Sequence, residues 1–388
     1  MSNQISKIGL IKEPVTETRV ALLPEDVRKL VETSPGVSIV FEANLAVHIG
    51  ISDSRYLEAG AIRMESSSEI IDYSDVIVCI QPVYDLRLSR KDKVFVGWFN
   101  CLNQLNHLSI YKEGRFTILS LDLLPRTTIA QRMDSLSSMA SLNGYKAVIK
   151  GTDQLGLALP MMTTAAGTIK PGNTLVVGAG VAGLQAIATA KRLGARVSAF
   201  DVRAAAAEEA RSLGARFLEV KGEINKSSVG GYAVEQSAQM LIEQQELLHE
   251  AAISSVLIIC TAQIPGRRAP VLITEKSIYG MQPGSVIVDL AAETGGNTEL
   301  TEKDKTIEVN GVTIIGNSNL HREIPYTASR LLSSNFYHFI HHLLAKGMED
   351  DLILQTAAVK NGRIIHPKII QDRKSTRLNS SHLVISYA

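Results

Sequence analysis

The sequence predicts an α/β fold of two lobes, each a parallel β-sheet with helices on its faces, and a cleft between the lobes. Three observations support this prediction. The length of 388 residues is that of two or three domains of about 150 residues each. Short apolar runs of strand length alternate with helical patterns, which favours parallel pairing of the strands. This alternation occurs in two separate parts of the chain.

The composition excludes several other classes of protein. The chain is 45% hydrophobic and 20% charged, which is too apolar for a disordered protein. Its net charge of +1 indicates neither a nucleic-acid partner nor a charged membrane surface. The three cysteines, Cys79, Cys101 and Cys260, lack metal or redox spacing, and we interpret them as buried, reduced thiols of a cytoplasmic protein. We expect neither a metal site nor a transmembrane segment.

The first lobe is predicted from apolar runs in the first third of the chain. We expect strands at 8–11, 38–41, 75–80, 94–98 and 116–120. Pro24 suits the first position of a helix, and Val27, Leu30 and Val31 follow it at helical spacing. A long helix from residue 327 to about 346 is predicted to return to this lobe. The first lobe therefore comprises residues 1–137 and 326–371.

The second lobe is predicted over residues 138–325. We expect strands at 174–177, 196–200, 215–218, 255–260, 285–289 and 313–315. Helices are predicted at 183–193 and 204–213, and each ends at a glycine suited to a helix C-cap, Gly194 and Gly214. A further helix at about 138–157 connects the lobes. The glycine- and serine-rich stretch 221–231 predicts a mobile loop.

The last seventeen residues are set apart from the fold. Residues 372–388 read DRKSTRLNSSHLVISYA and lack a helical or strand period. They resemble the translation of a short-read sequencing adapter, and we interpret them as a non-native tail rather than a polar native one. On this interpretation, the given sequence does not show the native C-terminus beyond Gln371.

A glycine-rich turn predicts a dinucleotide site in the second lobe. The strand at 174–177 is followed by Gly178-Ala-Gly180-Val-Ala-Gly183 and then by a helix. In this Rossmann fingerprint, Gly178 permits the tight turn and Gly180 lets the backbone approach a pyrophosphate. Gly183 lets the helix pack closely on the strand. The N-terminus of the helix offers unpaired N–H groups to the phosphates. The alternative is a strand-turn-helix unit without a ligand.

An acidic residue at the end of the next strand completes the fingerprint. Asp201 lies 18 residues after Gly183, near the spacing of a carboxylate that binds the ribose hydroxyls. Its charge would repel a 2′-phosphate, so the sequence favours NAD(H) over NADP(H). Arg203 leaves NADP(H) open, because an arginine can accommodate that phosphate.

Several segments together resemble a known family. The run from Gly183 to Ala195 and Asp201-Val-Arg203 resemble the NAD(H)-binding component of proton-translocating nicotinamide nucleotide transhydrogenase, within the alanine dehydrogenase/transhydrogenase superfamily. Four further segments agree, and the resemblance covers residues 5–371. They are Arg126 to Ser138, Pro160-Met-Met-Thr-Thr-Ala-Ala-Gly-Thr168, Gly230-Gly231-Tyr232, and Pro265-Gly-Arg-Arg-Ala-Pro-Val-Leu-Ile-Thr274.

The resemblance implies a function in a larger assembly. Members of the Re/Si-specific, proton-translocating class pass hydride from NADH to NADP⁺, which is held on a partner domain, and couple the transfer to proton movement through a membrane domain. This component is then a peripheral homodimer on the cytoplasmic side of the inner (plasma) membrane. Hydride transfer between two carbon atoms needs no acid, base or metal at this site, so positioning and exclusion of water are its main requirements.

The resemblance also assigns roles to individual residues. The nicotinamide end is held by Arg126, Gln131 and Asp134, with Ser137 and Ser138 in support. The pyrophosphate contacts Gly180, Val181 and Ala182, and the adenosine contacts Asp201, Val202 and Arg203. Gly231 and Gln263 lie beside the nucleotide, and Tyr232 belongs to a mobile loop that closes over it. The family usually has leucine at position 263, and we expect binding to be little affected.

Two other functions remain as alternatives. A soluble alanine-dehydrogenase-type enzyme needs a lysine and a histidine in the cleft of the first lobe, because it moves a proton with the hydride. The corresponding strand ends here carry Gln81 and Asn100 instead, and Arg19 is common to both families. A non-catalytic NAD-binding module is the second alternative, since one bound nucleotide cannot complete the reaction.

Overall fold

The chain is divided into two compact units. The computed structural model describes residues 5–83, 92–102, 108–219, 238–264 and 266–370. Unit 1 comprises Met1–Met139 and Arg322–Ala388, and unit 2 comprises Ala140–His321. The predicted loop at 221–231, Tyr232 and the adapter-like tail at 372–388 lie outside the described residues, so these predictions stay open.

The strands and helices alternate along both units. The strands are β1 Lys7–Leu10, β2 Ser38–Glu42, β3 Ile62–Met64, β4 Val76–Val78, β5 Val94–Gly97, β6 Thr117–Ser120, β7 Met162–Thr164, β8 Gly167–Ile169, β9 Asn173–Val177, β10 Arg196–Phe200, β11 Arg216–Phe217, β12 Leu257–Cys260, β13 Val286–Asp289, β14 Lys305–Val309, β15 Val312–Gly316, β16 Ala357–Lys360 and β17 Arg363–Ile364. The helices are α1 Pro24–Thr33, α2 Asp53–Glu58, α3 Ser67–Tyr73, α4 Leu108–Glu113, α5 Ser135–Gln154, α6 Val181–Arg192, α7 Ala205–Ser212, α8 Ala238–Ile253, α9 Glu275–Tyr279, α10 Pro325–Lys346 and α11 Asp351–Thr356.

Unit 1 is built on an eight-stranded sheet with the order β17-β16-β6-β5-β4-β1-β2-β3. The strands from β6 to β3 pair in parallel, as predicted. All five predicted strands are present. Sequence reasoning missed β3, which is short and not buried. It also missed β16 and β17, which add an antiparallel edge to the sheet.

The long helix α10 belongs to unit 1 and starts two residues earlier than predicted. Pro325 occupies its first turn, where a missing N–H costs nothing. Two serines on its buried face accept hydrogen bonds from the chain near α1. The Ser329 hydroxyl accepts from the Val20 N–H at 2.9 Å, and the Ser333 hydroxyl from the Leu23 N–H at 2.8 Å. The helix therefore fixes the N-terminal segment of its own unit.

Unit 2 is built on a seven-stranded sheet with the order β11-β10-β9-β12-β13-β15-β14. All six predicted strands are present, and only β14 is antiparallel to its neighbour. The chain runs outward from β9 to β10 and β11 and then returns to β12 on the other side of β9. The strand order thus reverses between β9 and β12, and open α/β sheets bind ligands at the carboxyl ends of strands at such a point.

The sheet of unit 2 is buried on both faces. Alternate residues of β9, β12 and β13 contribute to two apolar clusters on its opposite sides. A strand with two buried faces must be apolar at every position, which explains its continuous hydrophobic runs. The predicted α/β class with parallel sheets is confirmed.

The three cysteines are buried, as predicted. Burial raises the pKa of the Cys79, Cys101 and Cys260 thiols, and a protonated thiol is a poor nucleophile. Within the described ranges, none of the helices combines the length and the apolar character needed to cross a membrane.

Candidate functional site

Two glycines of the turn after β9 are required by contacts within the chain. Gly178 has a φ of +94°, and a Cβ atom there would lie 2.6 Å from the Thr261 Oγ1. At Gly183, a Cβ atom would lie 1.8 Å from the Gly178 carbonyl oxygen. The Thr261 hydroxyl could rotate away, but the Ala262 backbone nitrogen, 2.9 Å from the Gly178 Cβ position, could not, and the clashing atom at Gly183 is itself backbone. The structure therefore agrees with a tight turn at Gly178 and close helix–strand packing at Gly183.

Gly180 differs from its two neighbours in the fingerprint. Its φ of −82° is open to any residue, and the nearest atom to a Cβ there would be the Arg203 Nη2 at 3.9 Å. Nothing in the described residues therefore demands glycine at this position. The space lies at the start of α6, where Val181 is exposed and the helix dipole favours an anion. A ligand that approaches the backbone would explain the glycine.

Asp201 holds the turn and Arg203 together. Its carboxylate accepts a hydrogen bond from the Ala179 N–H at 2.7 Å. It also accepts from the Arg203 backbone N–H at 2.9 Å, Nε at 3.0 Å and Nη2 at 2.9 Å. The hydrogen bond to Asp201 raises the pKa of Arg203. These four bonds fill the usual acceptor capacity of a carboxylate, so a ribose hydroxyl can bond to Asp201 only where the guanidinium gives way. Val202 between them is exposed.

A fourth glycine, which sequence reasoning missed, packs against the same turn. Gly144 lies inside α5, and a Cβ atom there would be 2.0 Å from the carbonyl oxygen of Ala182. The α5 backbone therefore contacts the first turn of α6 directly. A glycine costs about 1 kcal/mol in a helix interior, so its presence in a predicted helix already indicates a packing requirement.

The segment after β12 forms another side of this site. The Thr261 hydroxyl donates to the Gly178 carbonyl at 2.9 Å, which joins the two strand ends. The Gln263 side chain donates through Nε2 to the Leu290 carbonyl at 2.8 Å, in the segment after β13. Gln263 is thus bonded within unit 2.

The predicted nicotinamide segment lies in unit 1, in the loop before α5. A 3-10 turn at Ile129–Met133 buries Ala130 and Met133, while Arg126 and Gln131 are exposed. The Asn335 side chain donates to the Arg132 carbonyl at 2.8 Å and so fixes the turn on α10.

Asp134 has a structural role that the sequence did not reveal. Its carboxylate accepts hydrogen bonds from the Ser137 N–H at 2.9 Å and from the Ser137 hydroxyl at 2.6 Å. This is the arrangement of a helix N-cap, and it explains why α5 begins at Ser135 rather than at the predicted residue 138. The Ser138 hydroxyl donates to the Asp134 carbonyl at 3.2 Å. The structure thus brings Asp134, Ser137 and Ser138 together.

The predicted site residues form two groups in different units. Unit 1 contains Arg126, Gln131, Asp134, Ser137 and Ser138. Unit 2 contains Gly178, Gly180, Val181, Ala182, Gly183, Asp201, Val202, Arg203 and Gln263. Gly231 and Tyr232 are outside the described residues. The unit 2 residues predicted to contact the adenosine and the pyrophosphate lie near the carboxyl ends of β9 and β10, where the Ala179 N–H bonds to Asp201.

A polar cluster that includes Arg19, Glu17 and Gln81 lies at the strand ends of unit 1, where the dehydrogenase alternative would need a lysine and a histidine. Arg19 and Glu17 are buried and form a bidentate pair, with both N–O distances at 2.6 Å. Burial opposes the ionised form of Glu17, but the hydrogen bonds and charge of Arg19 outweigh it and lower the pKa of this carboxyl. The Gln81 amide donates to the same carboxylate at 3.1 Å. Arg19 is therefore engaged by an internal carboxylate.

Comparison with known proteins agrees with the geometry. The family descriptions "Alanine dehydrogenase/PNT, N-terminal domain" and "Alanine dehydrogenase/PNT, C-terminal domain" match residues 9–143 and 147–367. The chain is 39% identical over 370 residues to the first part of the NAD(P) transhydrogenase alpha subunit of Rickettsia prowazekii, covering 93% of this chain and 96% of that one. The crystal structure of a transhydrogenase from Sinorhizobium meliloti is 38% identical, with a TM-score of 0.84, and the match covers 93% of this chain and all of that chain.

A glycine turn at the reversal point of a parallel sheet, in a chain with a second α/β unit, defines a Rossmann-like protein of the dinucleotide-binding class. The chain belongs to the alanine dehydrogenase/PNT family. An alanine dehydrogenase of Bacillus subtilis is more distant, at 25% identity over 381 residues and 94% of each chain. The resemblance drawn from the motifs is thereby confirmed.

The glycine contacts predict unequal effects of two alanine substitutions on stability. Gly183→Ala would force a methyl group against a backbone carbonyl, and we expect it to lower the free energy of unfolding by about 2 kcal/mol or more. Gly180→Ala places its methyl group no nearer than 3.9 Å to the Arg203 Nη2, and we expect a loss of under about 1 kcal/mol. Urea denaturation followed by circular dichroism measures both values. Equal losses would contradict the steric interpretation.

Proposed function

We propose that this chain is the NAD(H)-binding, hydride-donating component of a proton-translocating NAD(P) transhydrogenase of the Re/Si-specific class. The observation that carries the proposal is the open space at Gly180, at the head of α6, in a turn whose other glycines are explained by internal contacts. The relatives named as transhydrogenase subunits support this function over alanine dehydrogenation, because they share more of the sequence.

The charges beside the turn support NAD(H) as the nucleotide. Asp201 presents a carboxylate at the end of β10, and its two oxygens hold the Arg203 guanidinium. A 2′-phosphate would meet this carboxylate and would compete with it for the arginine. The ribose hydroxyls of NAD(H) carry no charge, so they face no such repulsion.

The residues of the loop before α5 are proposed to orient the nicotinamide end. Bound NADH supplies a hydride from C4 of its reduced ring. Arg126 and Gln131 offer exposed donors to the carboxamide and ribose, and Asp134 presents a carboxylate whose direction Ser137 fixes. Ser138 supports the same turn. These groups hold and aim a ring and move no proton, so their contribution is positioning.

We also propose that a separate domain holds NADP(H) and that a membrane domain completes the assembly. The relatives are named as portions of one subunit, which supports the existence of further subunits. Ile129 is 67% exposed and Leu136 is 45% exposed, and both lie within the segment that contains the predicted nicotinamide residues. This apolar surface suits contact with the NADP-binding domain. The chain is then peripheral, on the cytoplasmic side of the membrane, and is held there by its partners.

A projecting hairpin supports the proposed homodimer. Strands β7 and β8 form a sheet of their own that pairs with no other strand among the described residues, and every residue from 160 to 170 is exposed. Its apolar side chains include Met161, Met162 and Ile169, each at least 46% exposed. A lone hairpin is marginally stable in water, and exposed apolar patches mark contact surfaces. A second copy of this chain is the proposed partner.

Nucleotide titration tests the proposed cofactor. We expect the wild-type chain to bind NADH at least tenfold more tightly than NADPH. Gly180→Ala should raise the Kd for NADH at least tenfold, because its methyl group would occupy the space of the pyrophosphate. Isothermal titration calorimetry measures both. Val271→Ala, an exposed change elsewhere in unit 2, serves as the control. Preferential binding of NADPH would overturn the assignment.

A hydride-exchange assay tests the proposed reaction. With an added NADP-binding domain from a transhydrogenase relative, we expect the wild-type chain to transfer hydride from NADH to NADP⁺. Arg126→Ala and Gln131→Ala should each reduce the rate at least tenfold while changing the Kd for NADH less than threefold, because the adenosine end dominates binding. As a positive control, the NADP-binding domain is first shown to accept hydride from the NAD(H)-binding component of its own enzyme. If no hydride transfer is detected with this partner, a non-catalytic module is favoured. Alanine-dependent reduction of NAD⁺ would favour the dehydrogenase.

The hairpin predicts the oligomeric state. We expect a dimer in solution and expect the double variant Met162→Asp, Ile169→Asp to shift it toward monomer, because charges on a buried interface are costly. Size-exclusion chromatography with light scattering measures the mass over a tenfold concentration range. Ile62→Asp, an equally exposed apolar position in unit 1, is the control and should remain dimeric. A dimeric double variant would contradict the hairpin contact.

A further inference from the structure

Asn297 is fully buried, and within the described part of the chain its side chain bonds to backbone groups alone. Its Oδ1 accepts from the Ala262 N–H at 2.9 Å, and its Nδ2 donates to the carbonyls of Ala262 and Pro270, both at 2.8 Å. The amide therefore pairs with both polar groups of one residue, as a neighbouring strand would. Ala262 lies just beyond the end of β12, where the sheet no longer supplies such a neighbour.

Asp289 in turn fixes the position of Asn297. It is the last residue of β13 and is fully buried. Its Oδ2 accepts from the Asn297 N–H and from the Thr301 hydroxyl, both at 2.6 Å, and its Oδ1 accepts from the Ala291 N–H at 2.9 Å. Gly296 has a φ of +82°, and a Cβ atom there would lie 2.9 Å from the same Oδ2. The chain therefore turns tightly around this carboxylate.

Ala262, the residue that Asn297 holds, lies against the glycine turn. A Cβ atom on Gly178 would be 2.9 Å from the Ala262 nitrogen, so the two backbones are in contact. Thr261, the neighbour of Ala262, donates its hydroxyl to the Gly178 carbonyl at 2.9 Å. A continuous chain of hydrogen bonds and contacts thus runs from Asp289 through Asn297 and Ala262 to Gly178.

We propose that Asn297, oriented by Asp289, is a positioning residue that holds Ala262 against Gly178 and thereby sets the shape of the nucleotide-binding turn. This inference rests on the proposed function, because it concerns the same turn. The side chains of Asn297 and Asp289 are buried and fully engaged with the protein, so they act on a ligand only through the backbone that they hold. A shift of this backbone would change the space above Gly180 without removing any group that contacts the ligand.

Two variants test the proposal. Asn297→Ala leaves the Ala262 N–H and two carbonyls without partners, and Asn297→Asp keeps the acceptor but turns a carboxylate toward those carbonyls. We expect each variant to raise the Kd for NADH at least tenfold at a temperature well below its Tm. Ser255→Ala is the control, since it removes a buried hydrogen bond to the Ala251 carbonyl just before β12, at the other end of this strand. Its Kd should stay within twofold of wild type.

A second measurement needs no nucleotide. Hydrogen exchange in the free chain should show at least tenfold less protection of the Ala262 amide in Asn297→Ala and unchanged protection in Ser255→Ala. Should both Asn297 variants fail to fold, Thr301→Val removes one donor to Asp289 and should raise the Kd about threefold with a smaller loss of protection.

The outcomes separate this proposal from the proposed function. Unchanged protection of Ala262, or lost protection with a wild-type Kd, would overturn the positioning role. A wild-type chain that bound no dinucleotide would instead contradict the proposed function, and the exchange measurement would still decide whether Asn297 holds Ala262.

Discussion

Direct contact between backbones at the start of α6 is the constraint on which the rest of unit 2 depends. Gly183 lies against the Gly178 carbonyl, Gly144 of α5 lies against the Ala182 carbonyl, and Gly178 lies against Ala262. Any side chain at these three glycines would separate two elements. The helix can therefore begin close to the sheet edge, which brings its unpaired N–H groups to the point where the strand order reverses. The same packing leaves Gly180 as the open position.

Polar residues near the site hold structure as well as offering groups to a ligand. Asp201 secures the turn through the Ala179 N–H and engages Arg203, while Asp134 caps α5 through Ser137. The Asp134 carboxylate is already fixed by the fold and loses little freedom when it binds a further group, which is the advantage of a preorganised site. Asp201 differs, because its acceptors are filled and the Arg203 guanidinium must give way first. In unit 1, the buried pair of Arg19 and Glu17 is a second arginine engaged by a carboxylate of the same chain.

Much of the fold could be predicted because its signals are local. Every predicted strand of both sheets is present, since strands buried on two faces need continuous apolar runs. Two of the missed strands lacked that signal: β3 is short and exposed, and β14 lies at an edge and has no buried residue. The glycine fingerprint could also be predicted, because three glycines at fixed spacing follow from the turn itself. The partners of Gly144 and Asn297 could not, since they are distant in sequence and only folding brings them together.

The sequence by itself determined the α/β class, the family and the position of the glycine turn, because apolar periodicity, helix caps and a tight turn depend on neighbouring residues. Only the tertiary structure decided which fingerprint glycine has room for a side chain, that Asp201 already bonds to the Ala179 N–H, and how Asn297 reaches Ala262 across 35 positions. Those features are distances between segments far apart in the chain. A pattern of residue types carries no such distances until packing fixes them.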